Sequence, residues 1–403
     1  IAPDGRSVLF TLAKKGSREL ATLSLETRTW TTVIGNATQG IPLSTGHLLF
    51  ARRGELLVAP YDSGRVGGSP VSVLQDVHTI PGRAGVVVTQ FDVSQSGTLA
   101  FAPAAPETTD RLLWVDHRGN ESLITEGPGK WVHPRLSPDG RRVSIDIHSA
   151  DGMRDVYIYE MERRQLNRLT HEGITWESEW GPQGDRIAIM SGHPAGRWSL
   201  FSANTDFSGR PELLLEHDHA VPTGWAPKGD SLLFYDYAHG GIWAVSPSEP
   251  GQASPVFRPS AANERWGRLS PDGNWIAFVA DESGRREVFV TSFPTPGRRH
   301  KVSIEGGAEP VWSRDGRRLF FREGDRMFAV DIEREPALSF GTPELLFSGT
   351  YDAAHIGHQH FDVSLDGERF LMVKHGVAAG PTEVRVILNW LRELPETTSE
   401  MRE

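Results

Sequence analysis

Short alternating and apolar runs recur along the whole chain, each bounded by polar turn residues. "DVYIYEM" (155–161), "WIAFVA" (275–280), "RLFFRE" (318–323) and "RMFAVDI" (326–332) are of strand length and too short for helices. The turns between them are equally regular. In "LSPDGRRVSIDI" (136–147) Pro138 presets φ, Asp139 can bond the backbone, and Gly140 accepts a positive φ. Aligned on that glycine, the motif returns at Gly5, Gly46, Gly97, Gly140, Gly184, Gly229, Gly273, Gly316 and Gly367. Successive spacings are 41, 51, 43, 44, 45, 44, 43 and 51 residues. An aromatic or aliphatic residue stands four places before the glycine, as at Trp180, Trp225, Leu269 and Trp312. A strand follows the turn, then a second strand such as "EVFVTSF" (287–293), then an edge segment such as "NRLTHE" (167–172).

Four short strands per period predict an all-β fold of four-stranded antiparallel blades. One such unit cannot bury both faces alone, and radial stacking into a β-propeller solves that problem. The residue four before each turn is then expected between blades. The turns lack the acidic ladder of a calcium loop and read as structural.

Residues 1–127 hold three less regular repeats, residues 128–395 six regular ones, and 396–403 form a tail. One ring of eight or nine blades is expected, because three isolated blades would expose two large apolar faces. The alternative is a six-bladed ring at 128–395 preceded by three blades. "EVRVILNW" (383–390) is expected to pair as a strand near the N-terminal repeats, with "LRELPETTSEMRE" (391–403) a short helix or tail. Because Ile1 lies inside a repeat-like "IAPDGRSVLF", the chain is expected to be a trimmed or partial one, so missing targeting segments carry no information.

Composition narrows the partners. A net charge of −10 without a basic block argues against nucleic acid, which needs a positive face. No apolar run approaches the length that spans a bilayer, so no membrane insertion is expected of this segment. With no Cys, disulfides, thiolate metal sites and a Cys nucleophile are excluded, and either redox compartment fits.

If the strands ahead of the turns are innermost, their side chains meet around the propeller axis. Seven places before the glycine stand Gln90, His133, Glu177, Pro222, Trp266, Glu309 and His360. Five places before it stand Asp92, Arg135, Glu179, Gly224, Arg268, Val311 and Asp362. His133, Arg135, Glu177, Glu179, Arg268, Glu309 and His360 would then ring one channel mouth. Such a ring is either a site for a small polar ligand or a partner's loop, or a hydrated channel with internal salt bridges. "HIGHQH" (355–360) offers His355, His358 and His360 to a divalent metal, and "EHDH" (216–219) is a second cluster. Otherwise no cofactor is implied.

Enzyme motifs are missing. There is no G-x-S-x-G elbow, "THEGIT" is not H-E-x-x-H, and "EGPGKW" is not a P-loop. A non-catalytic module binding a protein or polar ligand is the reading these residues favour. The alternative is a metal-dependent lyase or hydrolase with its site at the channel.

The "SPDGRR" turns and "DVYIYEMERRQLNRLTHEG" (155–173) resemble TolB-type propeller repeats. "LSPDGNWIAFVADESGRREVFVTSFP" (269–294), "EGGAEPVWSRDGRRLFF" (305–321) and the ending "FDVSLDGERFLMVKHG…EVRVILNWLREL" (361–394) are similar to a narrower group. That group is the C-terminal propeller region of bacterial membrane-anchored serine/threonine protein kinases. No kinase lobe is present in this sequence. The resemblance implies a sensor or interaction region on the periplasmic or extracytoplasmic side.

Overall fold

The computed structural model describes residues 5–14, 17–62, 64–81, 87–104, 109–149, 153–171, 173–192, 198–257, 263–334, 338–352, 358–376 and 383–394. It is all-β, with antiparallel strand pairing and a single short 3-10 turn, Trp390–Glu393, among the described residues. The chain divides into two compact units. The larger comprises residues 109–148 and 154–376, the smaller residues 1–108, 149–153 and 377–403.

The larger unit contains six sheets. Their innermost strands are Lys130–Leu136, Thr175–Trp180, Ala220–Trp225, Arg265–Leu269, Ala308–Trp312 and Phe361–Val363, labelled β1 to β6. Each packs beside the next, and β6 packs beside both β5 and β1, so the circuit closes on itself. Five sheets are meanders of consecutive strands. The sixth is composite, running from β6 through Arg369–Lys374 to Thr109–Asp116 and Glu121–Pro128.

That composite sheet favours the six-bladed alternative over the larger ring. Closure comes at six sheets, not at eight or nine, because Thr109–Asp116 pairs with Arg369–Lys374 from Arg111↔Lys374 to Asp116↔Arg369. In the structure the six-sheet unit takes in residues from 109 onward. The Gly97 repeat is split between the units. Its second hairpin completes the ring, and its first, Phe91–Val93 with Leu99–Phe101, pairs with Arg385–Ile387 in the smaller unit. The segment "EVRVILNW" thus pairs with the third repeat.

The smaller unit has a three-stranded sheet from Ser7 to Gly35, a five-stranded sheet from Thr38 to Leu74, a two-stranded pair, and the Phe91–Leu99–Arg385 sheet. Trp390 is buried there with Leu49, Val58, Leu99 and Phe101.

Two repeated devices hold the blades. In the first, Ser137 Oγ donates to Asp139 Oδ1 at 2.6 Å and accepts from Arg142 N at 2.9 Å, while Gly140 N donates to Ser137 O. The same pattern recurs at Ser270–Asp272–Gly273, Ser313–Asp315–Gly316 and Ser364–Asp366–Gly367. Gly140, Gly273, Gly316 and Gly367 take φ of +71°, +74°, +65° and +75°, where a side chain is strained.

The second device is a tryptophan ladder. Trp180 Nε1 donates to Arg135 O (3.1 Å), Trp225 Nε1 to Glu179 O (3.0 Å) and Trp312 Nε1 to Arg268 O (3.0 Å). In each case the residue four before a turn grips the carbonyl five before a preceding turn, across a blade boundary. Trp225 bonds the preceding blade, which is why an indole serves there better than a plain hydrocarbon. Trp225→Phe is expected to lower stability by about 1 kcal/mol, the net value of one hydrogen bond. Urea unfolding reads the change, and a variant as stable as the parent counts against the ladder.

Candidate functional site at the centre of the six-sheet unit

Strands β1 to β5 share a local defect. Pairing with the next strand slips between Val132 and Arg135, Trp176 and Ser178, Pro222 and Gly224, Arg265 and Arg268, and Ala308 and Val311. The residue seven before the turn glycine sits in four of the five slips, while in the third blade Pro222 stays paired with Phe234 and Thr223 takes that place. His133, Glu177, Trp266 and Glu309 there adopt φ of +54°, +48°, +52° and +58°. Pro222 cannot, since its ring fixes φ negative. A left-handed backbone costs an L-residue roughly 1–2 kcal/mol, so four in register must be held by their surroundings. A bulge of this kind re-aims a side chain away from the ladder.

His133, Arg135, Glu177, Glu179, Glu309 and His360 are all buried. The Arg268 side chain is 19% exposed. Five of the seven fall into two groups, and Glu309 and His360 stand apart.

The first is a clasp on Glu179. Arg135 Nε lies 2.8 Å from Glu179 Oε1, and Arg268 places Nη2 at 2.6 Å from Oε1 and Nη1 at 2.9 Å from Oε2. Arg135 also donates to the carbonyls of Pro134 (2.7 Å) and Gln359 (2.9 Å), and Arg268 Nε to Gln359 Oε1 (3.0 Å). Burial acts to lower the pKa of Arg135, but the carboxylates of Glu179 and Asp362 outweigh it and raise the pKa.

The second group surrounds Glu177. Its Oε1 lies 2.8 Å from His133 Nδ1 and 2.6 Å from His358 Nδ1. Neither approach has hydrogen-bond alignment, and Oε1 and His358 Nδ1 have no hydrogen-bond partner. Asp146, on the second strand of the first blade, accepts from His133 Nδ1 at 2.7 Å and from the Glu177 N–H at 2.7 Å. The second bond satisfies the amide that the bulge takes out of the ladder. Burial pushes the His133 imidazole down, yet Glu177 and Asp146 outweigh it and raise its pKa to about 10. Burial likewise disfavours the Glu177 anion, but the neighbouring imidazoles of His133 and His358 hold its carboxyl well below the usual range. Asp146 moves the other way, raised by burial.

His360 turns elsewhere. Its Nδ1 meets Asp352 Oδ2 at 2.5 Å, its amide donates to Glu309 Oε2 at 2.9 Å, and its Nε2 is buried without a hydrogen-bond partner. Asp352 also accepts from His375 Nε2 at 2.9 Å. His358 is held by its backbone, since Trp266 Nε1 donates to His358 O at 2.7 Å. Residues 358–360 are therefore gripped from the first, fourth and fifth blades at once. His355 lies outside the described residues.

Of the seven residues expected around the axis, the structure brings His133 and Glu177 together with His358, and Arg135, Glu179 and Arg268 together with Gln359. Glu309 and His360 meet through a backbone amide. The cluster at 216–219 contributes His217, whose Nε2 lies 3.3 Å from Asp236 Oδ2, with His239 Nδ1 at 2.9 Å. Sequence reasoning missed Asp146, Asp352, His375 and Gln359. Asp146 left a signal, a lone carboxylate in the apolar strand "VSIDI" (143–147), where only a buried partner makes an acid tolerable. Asp352 and His375 left none.

No family model matches the chain. It is 32% identical over 202 residues to the "Tol-Pal system protein TolB" of Anaeromyxobacter dehalogenans (strain 2CP-C), covering 48% of this chain and 43% of that protein. It is 26% identical over 151 residues to the "Uncharacterized protein YidR" of Escherichia coli (strain K12), covering 36% of this chain and 32% of that one. The solved structure of a putative TolB from Agrobacterium tumefaciens superposes with a TM-score of 0.53 at 16% identity, covering 67% of this chain and 99% of that one. The fold is a TolB-like β-propeller. The chain spans 43% or less of the length of the curated TolB and YidR proteins it matches. Among the described residues no helix is long and apolar enough to cross a membrane.

Proposed function

We propose that this TolB-like propeller is a non-catalytic binding module, the sensor or interaction region of a receptor-like kinase, working outside the cytoplasm on a protein partner. One observation carries the reading. The charged groups of the Arg135–Glu179–Arg268 clasp at the centre of the ring spend their hydrogen bonds on one another and on the carbonyls of Gln359. A general acid or base must exchange partners during a reaction, whereas groups locked this way stiffen a scaffold. The relatives named as Tol-Pal system components add weight to a protein partner. Recognition then falls to the rims of the ring, where the blade turns are exposed.

The two rims can be tested separately. The turn at Lys228 ends an innermost strand, and the turn at Ser283 joins the next two strands of the following blade, so they lie at opposite ends of the meander. The chain has no Cys, so Lys228→Cys and Ser283→Cys each give one labelling site. A photocrosslinker at one of them, in the full-length protein in its own membranes, is expected to trap one protein at stoichiometric yield while the other traps none. Failure of both sinks the binding reading. A complete reading frame without a kinase lobe and a membrane span ahead of this region sinks the receptor reading alone.

A further inference from the structure

We propose that His133, Glu177 and His358 form a binding site for one first-row divalent metal ion, with zinc as the representative. Ligand atoms of the three residues all lie within 4.8 Å of one another, at the centre of the six-sheet unit. Two imidazoles and one carboxylate form a donor set suited to zinc and its neighbours, while magnesium and calcium prefer oxygen alone.

Three observations carry the assignment. First, Glu177 Oε1 is buried, lies 2.8 Å and 2.6 Å from two imidazole nitrogens, and has no hydrogen-bond partner. A buried carboxylate oxygen without an aligned hydrogen bond is costly, and a divalent ion would meet it directly in place of the proton on the His133 imidazole. Second, the spacing needs little change. Tetrahedral ligands at about 2.0–2.1 Å from zinc stand roughly 3.3 Å apart, so the ion would spread the two approaches to Glu177 by about 0.5 and 0.7 Å. Third, the charges balance. With both imidazoles neutral, Asp146 and Glu177 supply two negative charges, which a dication cancels. On binding, the metal takes the place of the proton that His133 Nδ1 now directs to Asp146, and that carboxylate keeps its bond to the Glu177 amide.

The supports are built in. The Glu177 amide is fixed by Asp146, and the His358 backbone by Trp266. The His360 ring lies 4.8 Å, centroid to centroid, from that of His133 and is oriented by Asp352. The second grouping, His217, Asp236 and His239, lacks these features. His239 is exposed, and both oxygens of Asp236 are occupied by Ala238, His239 and its imidazole.

The test is calorimetric titration of tag-free, chelator-treated protein with Zn²⁺, repeated with Co²⁺ to read ligand-field absorption and with Mg²⁺ as a comparison. One zinc per chain is expected, with Mg²⁺ not competing. His358→Ala and Glu177→Gln should each weaken binding by at least tenfold, and His217→Ala with His239→Ala should leave it unchanged. His358 is only half-buried, so that variant is the one expected to keep its fold, checked by circular dichroism. Absence of saturable zinc or cobalt binding overturns the site. So does binding that survives His358→Ala, or binding lost with His217 and His239. None of these outcomes bears on whether the rims bind a protein.

Discussion

Replacing Glu179 by alanine is expected to destabilise the six-sheet unit by about 3–5 kcal/mol, the usual cost of removing one partner from a buried ion pair. The loss of attraction is the smaller part. Arg135 is buried and cannot shed its proton, so the variant leaves a guanidinium among β-strands bonded only to carbonyls, with the Asp362 carboxylate acting on it through space. Arg268 loses both of its bonds to the carboxylate and keeps Gln359. Because Glu179, Arg135 and Arg268 belong to three different blades, the damage reaches blade-to-blade contacts. Urea unfolding followed by tryptophan fluorescence gives the value directly. Adding Arg135→Met to Glu179→Ala should recover part of the loss, since an apolar side chain of similar length leaves no buried charge. A single variant costing less than 1 kcal/mol, or a double variant worse than the single one, means the clasp is not what holds these strands together.

The clasp also marks how far sequence could reach. Arg135, Glu179 and Arg268 occupy one column of the repeat, five residues before the turn, so aligning the turns was enough to place them on innermost strands, those of the first, second and fourth blades. Period-two patterning and the glycine turns made the blades legible for the same reason, since both are local. Ring closure was not local. Thr109–Asp116 could have continued a larger ring, and only pairing with Arg369–Lys374, more than two hundred residues away, decides for six sheets. The site was half legible. His133, Glu177 and His358 carry chemistry that stands out in a sequence, but the left-handed bulges that bring the first two inward have no residue signature. Histidine, glutamate and tryptophan fill them alike. Asp146, the partner of His133 and Glu177, comes from a second strand, and Asp352, the partner of His360, from a loop, both outside any column.

The seam of the ring should make stability depend on pH. His375 follows the strand Arg369–Lys374 and bridges the two sides of the closure. Its Nδ1 lies 2.6 Å from Asp110, at the start of the strand that arrives from the N-terminal side, and its Nε2 lies 2.9 Å from Asp352. Asp110 further accepts the amides of Gly376 at 3.0 Å and Trp131 at 2.8 Å, so the contact ties the sixth blade to the first. Burial pushes the imidazole down, but the bonds to Asp110 and Asp352 outweigh it and raise its pKa to about 9. A folded-state pKa above the unfolded value of about 6.5 stabilises fully below pH 6.5, and that contribution is lost as pH rises through 9. The His375 side chain is 32% exposed, so solvent screening trims the effect to about 2 kcal/mol. His375→Gln keeps a hydrogen-bonding side chain and removes the titration. The stability difference between parent and variant is the quantity to follow, because it cancels groups common to both, His133 included. It should favour the parent at pH 6 and shrink by about 2 kcal/mol by pH 9.5. A difference that stays constant over that range means the ring is closed by strand pairing alone, with no contribution from the charge on His375.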